Sequence, residues 1–132
     1  CEREQISLLP YSPMAGGVLS GKYNNAFAAE GRFSTYMSSE NPRVRAQAAR
    51  FVNEKTLAST NEYIKVAEEA GISPVTLATA WSKQFSFVAS TIIGATKASQ
   101  LDESLKAMQL DLSEEVLKAC DEVHAKILYP MG

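Results

Sequence analysis

The pattern of apolar and polar positions along the chain predicts two strands that alternate with helices. A short apolar run, Ile6, Leu8 and Leu9, precedes Pro10. A run this short fits a strand or a helical turn, and the glycine-rich segment after it favours a strand. A second run, FVASTIIGAT at residues 87–96, carries no charged residue. Such a run is typical of a strand that is buried on both faces of a parallel sheet.

Helical periodicity dominates the region between the two predicted strands. Apolar residues recur at three- and four-residue steps from about Val44 to Ala70, which predicts helix. The polar stretch NEKTLASTNE can divide this region into two helices, and Gly71 is the expected C-terminal cap. A further helix is predicted from Ser73 and Pro74, because serine is a good N-cap and proline is tolerated at the first helical position.

The second predicted strand is followed by two more helices. Leu101, Leu105 and Met108 are spaced by four and three residues, which predicts a helix capped by Thr96 or Ser99. The stretch DLSEEVLKACDEVHAKI predicts a last helix, with its serine as the N-cap and two glutamates in the first turn.

The order of elements is strand, loop, helix, helix, strand, helix, helix, which predicts two β/α units of a parallel α/β fold. The loop covers residues 24–42, where the sequence has no steady period. A loop of this length in a compact domain is usually functional or mobile. Since two parallel strands make a poor sheet by themselves, we expect them to belong to a larger parallel sheet or barrel.

Composition and charge exclude several classes of protein. The chain has 132 residues, of which 45% are hydrophobic and 21% charged, as in a soluble globular domain. Its net charge of −2 predicts neither nucleic-acid nor anionic-membrane binding. No apolar run approaches the roughly 20 residues of a membrane span, and no signal-peptide pattern is present. Cys1 and Cys120 have no metal-ligand spacing and are expected to be free thiols in a reducing cytoplasm. Because the chain starts with cysteine rather than methionine, we expect a piece of a longer protein.

Both predicted strands run into glycine with serine, threonine or lysine close by. The first continues as YSPMAGGVLSGKY at residues 11–23, and the second ends at Gly94 before Lys97. Glycine lets the backbone approach a ligand, and free N–H groups at a helix start attract phosphate. A phosphate site is one interpretation, and two turn-forming loops with solvated lysines are the other. Neither the P-loop nor the GxGxxG pattern is present.

These residues resemble those of the aldo-keto reductase family. LLPYSPMAGGVLSGKY is similar to the exit of the seventh strand in that family, and STIIGATKASQLDESLKAMQLDLSEE to the exit of the eighth strand and the helix that follows. The resemblance covers nearly the whole chain, although residues 24–42 and the first helix match loosely. The later motif, including FVASTIIGAT and LDLSEEVL, is most similar to the Tas-like subgroup. The resemblance implies that residues 1–132 are one partial domain, the C-terminal portion of a (β/α)8 TIM barrel at about its seventh and eighth β/α units.

The resemblance also implies that NADPH lies across the mouth of the barrel. Tyr11 would stack on the nicotinamide ring, Lys22 would reach the 2′-phosphate and Arg32 would help to hold the adenine end. The pyrophosphate path would be lined by Ser12, Pro13, Met14, Ala15, Gly17 and Ser20. The second motif would hold the adenosine phosphate through Gly94, Thr96 and Gln100, with Glu103 on the adenine. Ser104 stands where the family usually has asparagine, which removes one amide contact to adenine.

No residue of the chain matches the catalytic tyrosine, lysine, aspartate and histidine that the resemblance implies, because all four belong to the first half of the barrel. The five tyrosines lie outside the family's catalytic motif, and the one histidine, His124, is expected to be a surface or packing residue. The chain is therefore predicted to supply the NADPH-binding half of an oxidoreductase that reduces the carbonyls of aldehydes or ketones. We expect it to be inactive alone, and to pair with the missing N-terminal half or with another copy.

Two other functions remain open at this level. Potassium-channel β subunits share the first motif, so the chain could be a non-catalytic NADPH-binding interaction protein; the ending LDLSEEVLKACDEVH favours the enzymes. The remaining alternative is an unrelated small α/β domain with solvated glycine-rich loops.

Overall fold

The computed structural model describes residues 1–24 and 30–131. In these ranges the α-helices are α1 Arg32–Met37, α2 Pro42–Phe51, α3 Glu54–Glu69, α4 Pro74–Lys83, α5 Leu101–Lys106 and α6 Glu114–Lys126. Short 3-10 helices lie at Glu2–Glu4, Ala15–Ser20, Ala98–Gln100 and Ala107–Gln109. None of the helices in the described residues is long and apolar enough to cross a membrane.

The two predicted strands are present only as a pair of isolated parallel bridges within the described residues. Leu8 pairs with Val88, and Tyr11 pairs with Ile92. The parallel direction is therefore as predicted, but a regular ladder is not formed. Two causes are visible: Pro10 has no N–H to donate, and four residue steps on the second segment face three on the first.

The prediction that the second strand is buried on both faces is wrong for this chain. Ile92 is 51% exposed, and Leu8 and Ile6 on the first segment are 42% and 62% exposed. The physical reason is that no further strand lies beside the pair among the described residues. The apolar side chains of these segments are therefore not fully buried by the residues that the structure describes.

Local signals for helix ends are mostly confirmed. The helical region after Val44 is divided, since α2 ends at Phe51 and α3 starts after Asn53, which forms a capping box with Thr56. Gly71 follows α3 with φ +68°, the left-handed conformation expected after a helix. The side chain of Ser73 accepts a hydrogen bond from the Thr76 N–H at the start of α4.

Two expectations about loops and caps are wrong. Residues 32–37, inside the predicted long loop, form α1, whose Phe33 is buried in the core; residues 25–29 of that loop lie outside the described residues. Neither Thr96 nor Ser99 caps the helix after the second segment, because the 3-10 turn Ala98–Gln100 leads directly into α5 without a side-chain cap. The cap of α6 is Ser113, as predicted.

Two apolar clusters form the core. The first joins the 3-10 helix after the first segment to α1 and α2, through Val18, Tyr23, Phe33, Ala48 and Val52. The second joins α3, α4 and α6, through Val66, Ala67, Leu77, Cys120 and Val123. The segment that carries the first motif therefore packs against a buried apolar cluster.

Candidate functional site

The two motif segments follow the paired segments at the same end, which is the carboxyl end of both. Tyr11 and Ile92 form the last parallel bridge, and the Ile92 N–H donates to the Pro10 carbonyl at 2.8 Å. Ser12 follows directly on one segment, and Gly94 comes two residues later on the other. Since ligands of parallel α/β folds bind at the carboxyl ends of the strands, the two candidate halves converge where a ligand site is expected.

Residues 12–17 form a tightly turned backbone. Ser12 and Ala15 have φ of +57° and +49°, and Gly16 and Gly17 follow with +67° and +95°. The Ser12 hydroxyl accepts a hydrogen bond from the Gly16 N–H at 3.1 Å. Non-glycine residues in the left-handed region cost on the order of 1 kcal/mol each and concentrate at ligand sites.

The remaining pyrophosphate candidates belong to the same turn. The Met14 carbonyl accepts from the Gly17 N–H at 2.9 Å, and the Ser20 hydroxyl donates to the Gly17 carbonyl at 2.8 Å. Pro13 differs from them, because it lines the apolar cavity behind the turn. Tyr11 is 80% exposed, so one of its faces is open to a planar partner.

Lys22 is held in a narrow space between two glycines. Its ammonium nitrogen lies 5.0 Å from the centroid of the Tyr23 ring, a cation–π distance. A Cβ atom at Gly31 would lie 2.9 Å from Lys22 Nζ and 2.5 Å from the Tyr23 hydroxyl, and one at Gly17 would lie 3.1 Å from Lys22 Nζ. Among the described residues no carboxylate pairs with Lys22, so its charge is available to an anion.

Arg32 is brought close to the Lys22 segment by Tyr23. The Tyr23 hydroxyl accepts a hydrogen bond from the Phe33 N–H at 3.2 Å, which ties the start of α1 to that segment. Arg32 is the first residue of α1 and is exposed. The family resemblance pointed to Lys22 and Arg32 but not to Gly31 and Tyr23, which lie beside them.

The glutamine of the second motif segment hydrogen-bonds to a residue four positions earlier in the same segment. Gln100 Oε1 accepts from the Thr96 N–H at 2.8 Å and from the Thr96 hydroxyl at 3.2 Å. Gly94 has open space around it, since a Cβ there would meet no atom within 4 Å. Among the residues that the structure describes, therefore, no packing requires glycine at position 94.

Glu103 and Ser104 are already engaged by the fold. Glu103 Oε2 accepts from the Thr76 hydroxyl at 3.0 Å, and Glu103 Oε1 lies 2.5 Å from Lys106 Nζ. Lys106 first, then the hydroxyls of Ser73 and Thr76, lower the pKa of Glu103 to about 2. Ser104 is buried, with 8% of its surface exposed. Thr76 has no signal in the sequence that would have marked it as part of this site.

An apolar cavity of about 310 Å³ lies behind the first motif, between α3, α4 and α6. His124 and Cys120 line it, and His124 also packs edge to face on Tyr129 with ring centroids 6.2 Å apart. Burial raises the pKa of the Cys120 thiol. No group of three potential metal ligands occurs among the described residues.

The arrangement consists of two segments joined by parallel bridges and packed with helices, with a candidate anion site at the carboxyl ends of these segments. A sequence model of the aldo/keto reductase family matches residues 1–125. The chain therefore belongs to the aldo/keto reductase family, and the resemblance of its two motifs is confirmed.

Three similarities illustrate the range of the family. The chain is 34% identical over 127 residues to the protein tas of Escherichia coli K12, covering 96% of the chain and 34% of that protein. It is 34% identical over 115 residues to a putative voltage-gated potassium channel subunit beta of Schizosaccharomyces pombe, covering 86% of the chain and 32% of that protein. The solved glycerol dehydrogenase AKR11B4 from Gluconobacter oxydans matches with a TM-score of 0.71 and 26% identity, covering 97% of the chain and 37% of that structure. The chain thus spans about a third of the length of the relatives it matches.

Proposed function

We propose that the chain is the cofactor-binding part of an NADPH-dependent oxidoreductase that reduces carbonyl groups of aldehydes or ketones. It would correspond to about the seventh and eighth β/α units of a (β/α)8 barrel, a proposal supported by the match to the glycerol dehydrogenase structure. The observation that carries the proposal is the Lys22 cation, which pairs with no carboxylate in the described part of the chain and lies between Gly17 and Gly31 beside the positive-φ turn. Bound NADPH would supply a hydride to the carbonyl carbon of the substrate.

The residues present fit the phosphate-bearing parts of the cofactor. The backbone of the turn at residues 12–17 would approach the cofactor's pyrophosphate closely. Lys22 and Arg32 would supply the positive charge that a 2′-phosphate requires. The proposed contacts are Tyr11, Ser12, Pro13, Met14, Ala15, Gly17, Ser20, Lys22, Arg32, Gly94, Thr96 and Gln100. The fit is poorer at the adenine end, because Ser104 is buried and Glu103 is bound to Thr76 and Lys106.

The test is a fluorescence titration of the purified chain with NADPH and with NADH. We expect saturable NADPH binding, and we expect Lys22→Met to weaken NADPH by about tenfold or more, since a hydrogen bond between charged groups contributes about 1.5–3 kcal/mol. NADH, which lacks the 2′-phosphate, should be affected much less. Lys118→Met, at an exposed lysine on α6, is the matched control. Equal weakening of both cofactors by Lys22→Met would contradict the assigned role.

The chain by itself is proposed to be inactive, because it contains no match to the family's catalytic residues. Oxidation of NADPH by an aldehyde in the presence of the 132-residue chain alone would overturn this. We also propose a cytoplasmic location, which the free thiols of Cys1 and Cys120 support.

A non-catalytic NADPH-binding interaction protein is the second candidate. It is favoured by the similarity to the putative voltage-gated potassium channel subunit beta, which extends over 86% of the chain. The two candidates differ in one measurement: a protein that joins this chain to the rest of a barrel should turn over an aldehyde if it is an enzyme, and should bind NADPH without turnover if it is an interaction protein.

A further inference from the structure

Helix α5 is attached to the first turn of α4 through the backbone carbonyl and the carboxylate of Glu103. The Thr76 hydroxyl lies 3.0 Å from the Glu103 carbonyl oxygen and 3.0 Å from Glu103 Oε2. The hydroxyl of Ser73, the N-cap of α4, lies 2.9 Å from the Thr76 hydroxyl. The negative charge therefore lies at the N-terminal end of α4, where the helix dipole stabilises it.

The same helix continues into the second motif segment on its other side. Gln100 precedes Glu103 by three residues, and its Oε1 holds the Thr96 N–H at 2.8 Å. One helical turn therefore separates the attachment to α4 from the hydrogen bond that shapes the loop at residues 94–100. A displacement of α5 would move Gln100 and release Thr96.

We propose that Glu103 is a positioning residue for the phosphate end of the site rather than a contact to the adenine base. It fixes α5 on the first turn of α4 and so holds Thr96 and Gln100 in the arrangement that meets the adenosine phosphate; this last role rests on the proposed function. The neighbouring Ser104 is buried, so this face of α5 is turned into the chain. The Glu103 carboxylate already has two partners in the chain, the Thr76 hydroxyl and the Lys106 ammonium group.

The first test needs no cofactor. Thr76→Val should speed hydrogen exchange of the Thr96 backbone amide by about fivefold, because it removes both hydrogen bonds from the Thr76 hydroxyl to Glu103. Glu103→Ala should speed this exchange by a smaller factor, because the carbonyl of residue 103 still accepts from Thr76. Glu103→Gln keeps an acceptor for Thr76 and should restore part of the protection. Thr79→Val is the matched control, since the Thr79 hydroxyl is buried on α4 but donates to Val75 of the same helix at 2.9 Å. Unchanged Thr96 exchange in Glu103→Ala and Thr76→Val would overturn the proposal.

The second test separates positioning from contact with the base. NADPH is compared with reduced nicotinamide hypoxanthine dinucleotide phosphate, which lacks the 6-amino group of adenine. A positioning role predicts that Glu103→Ala weakens both cofactors by the same factor and that Thr76→Val does so as well. A contact predicts selective weakening of NADPH by Glu103→Ala and no effect of Thr76→Val, which would contradict the proposal. If the unmodified chain binds neither cofactor, the proposed function fails, while Thr96 exchange still decides the role of Glu103.

Discussion

The ammonium group of Lys22 has little room to move, because glycine flanks it on two sides. Its Nζ would lie 2.9 Å from a Cβ at Gly31 and 3.1 Å from a Cβ at Gly17. The ammonium nitrogen also lies 5.0 Å from the centroid of the Tyr23 ring, and it has no anionic partner among the described residues. Such preorganisation lowers the entropy that anion binding must overcome.

Gly31→Ala should therefore disturb the site although it replaces no charged residue. The new Cβ would collide with the Tyr23 hydroxyl at 2.5 Å and would displace Lys22. We expect NADPH affinity to fall by about fivefold or more, with NADH affinity changed much less, because only NADPH carries the 2′-phosphate. The measurement is the ratio of the two dissociation constants by fluorescence titration. An unchanged ratio would show that the position of Lys22 does not select the cofactor.

At the scale of elements, the helices were predictable because their signals are local. Ser73 and Ser113 cap their helices through hydrogen bonds to backbone groups only a few residues away, and Pro74 occupies the first helical position. The positions of these helix starts can therefore be read from the sequence order alone. The helix α1 was missed because its one buried residue, Phe33, is stabilised by Tyr23 and Phe51 rather than by a periodic pattern. The sequence predicted two full strands. It could not predict that they are present only as isolated bridges, because pairing depends on non-local register and on neighbouring strands.

Helices α3 and α6 are tied together by a charge cluster. Glu62 of α3 accepts from Lys126 of α6 at 2.7 Å and from Lys65 of its own helix at 2.6 Å. Lys126 first and Lys65 second lower the pKa of Glu62 from 4.5 to about 2. An acid whose pKa is lowered in the folded state stabilises the fold above its unfolded pKa, and this contribution is lost as the pH falls through the folded pKa.

Glu62→Gln should accordingly lower the melting temperature at pH 7, and the difference from the unmodified chain should shrink between about pH 4.5 and pH 2. Thermal unfolding followed by circular dichroism over this range is the measurement. Glu68→Gln, at an exposed position on the same helix, is the control and should show a smaller difference. A Glu62→Gln difference that stays constant down to pH 2 would show that the lysines do not act through its charge.

At the scale of the whole molecule, the sequence allowed a candidate site to be proposed, because residues 11–23 resemble a family motif. Glycine, serine and lysine have a direct physical use beside phosphate, but the residues alone also fit turn-forming loops with solvated lysines, so the binding roles stay predictions. The contacts that arrange the site were not predictable, since Thr76 meets Glu103 across 27 residues and Tyr23 meets Phe33 across a stretch without a periodic pattern.

The exposed apolar residues of the first segment give the whole molecule a surface that water does not favour. Ile6, Leu8 and Leu9 lie in sequence on an edge without a neighbouring strand among the described residues, and Leu9 is 55% exposed. Large exposed apolar patches promote association. We therefore expect the isolated chain to self-associate at micromolar concentrations, or to bind a polypeptide that supplies the further strands of the proposed barrel.

Leu9→Lys should weaken this association, because it would require the burial of an unpaired charge at the edge. Light scattering coupled to gel filtration should show a mass that rises with concentration for the unmodified chain and stays near 14.3 kDa for the variant. Leu128→Lys, at a leucine of similar exposure in the C-terminal tail, is the matched control and should keep the association. A concentration-independent monomer of the unmodified chain would contradict self-association, and equal loss in both variants would show that hydrophobicity in general, not this edge, drives it.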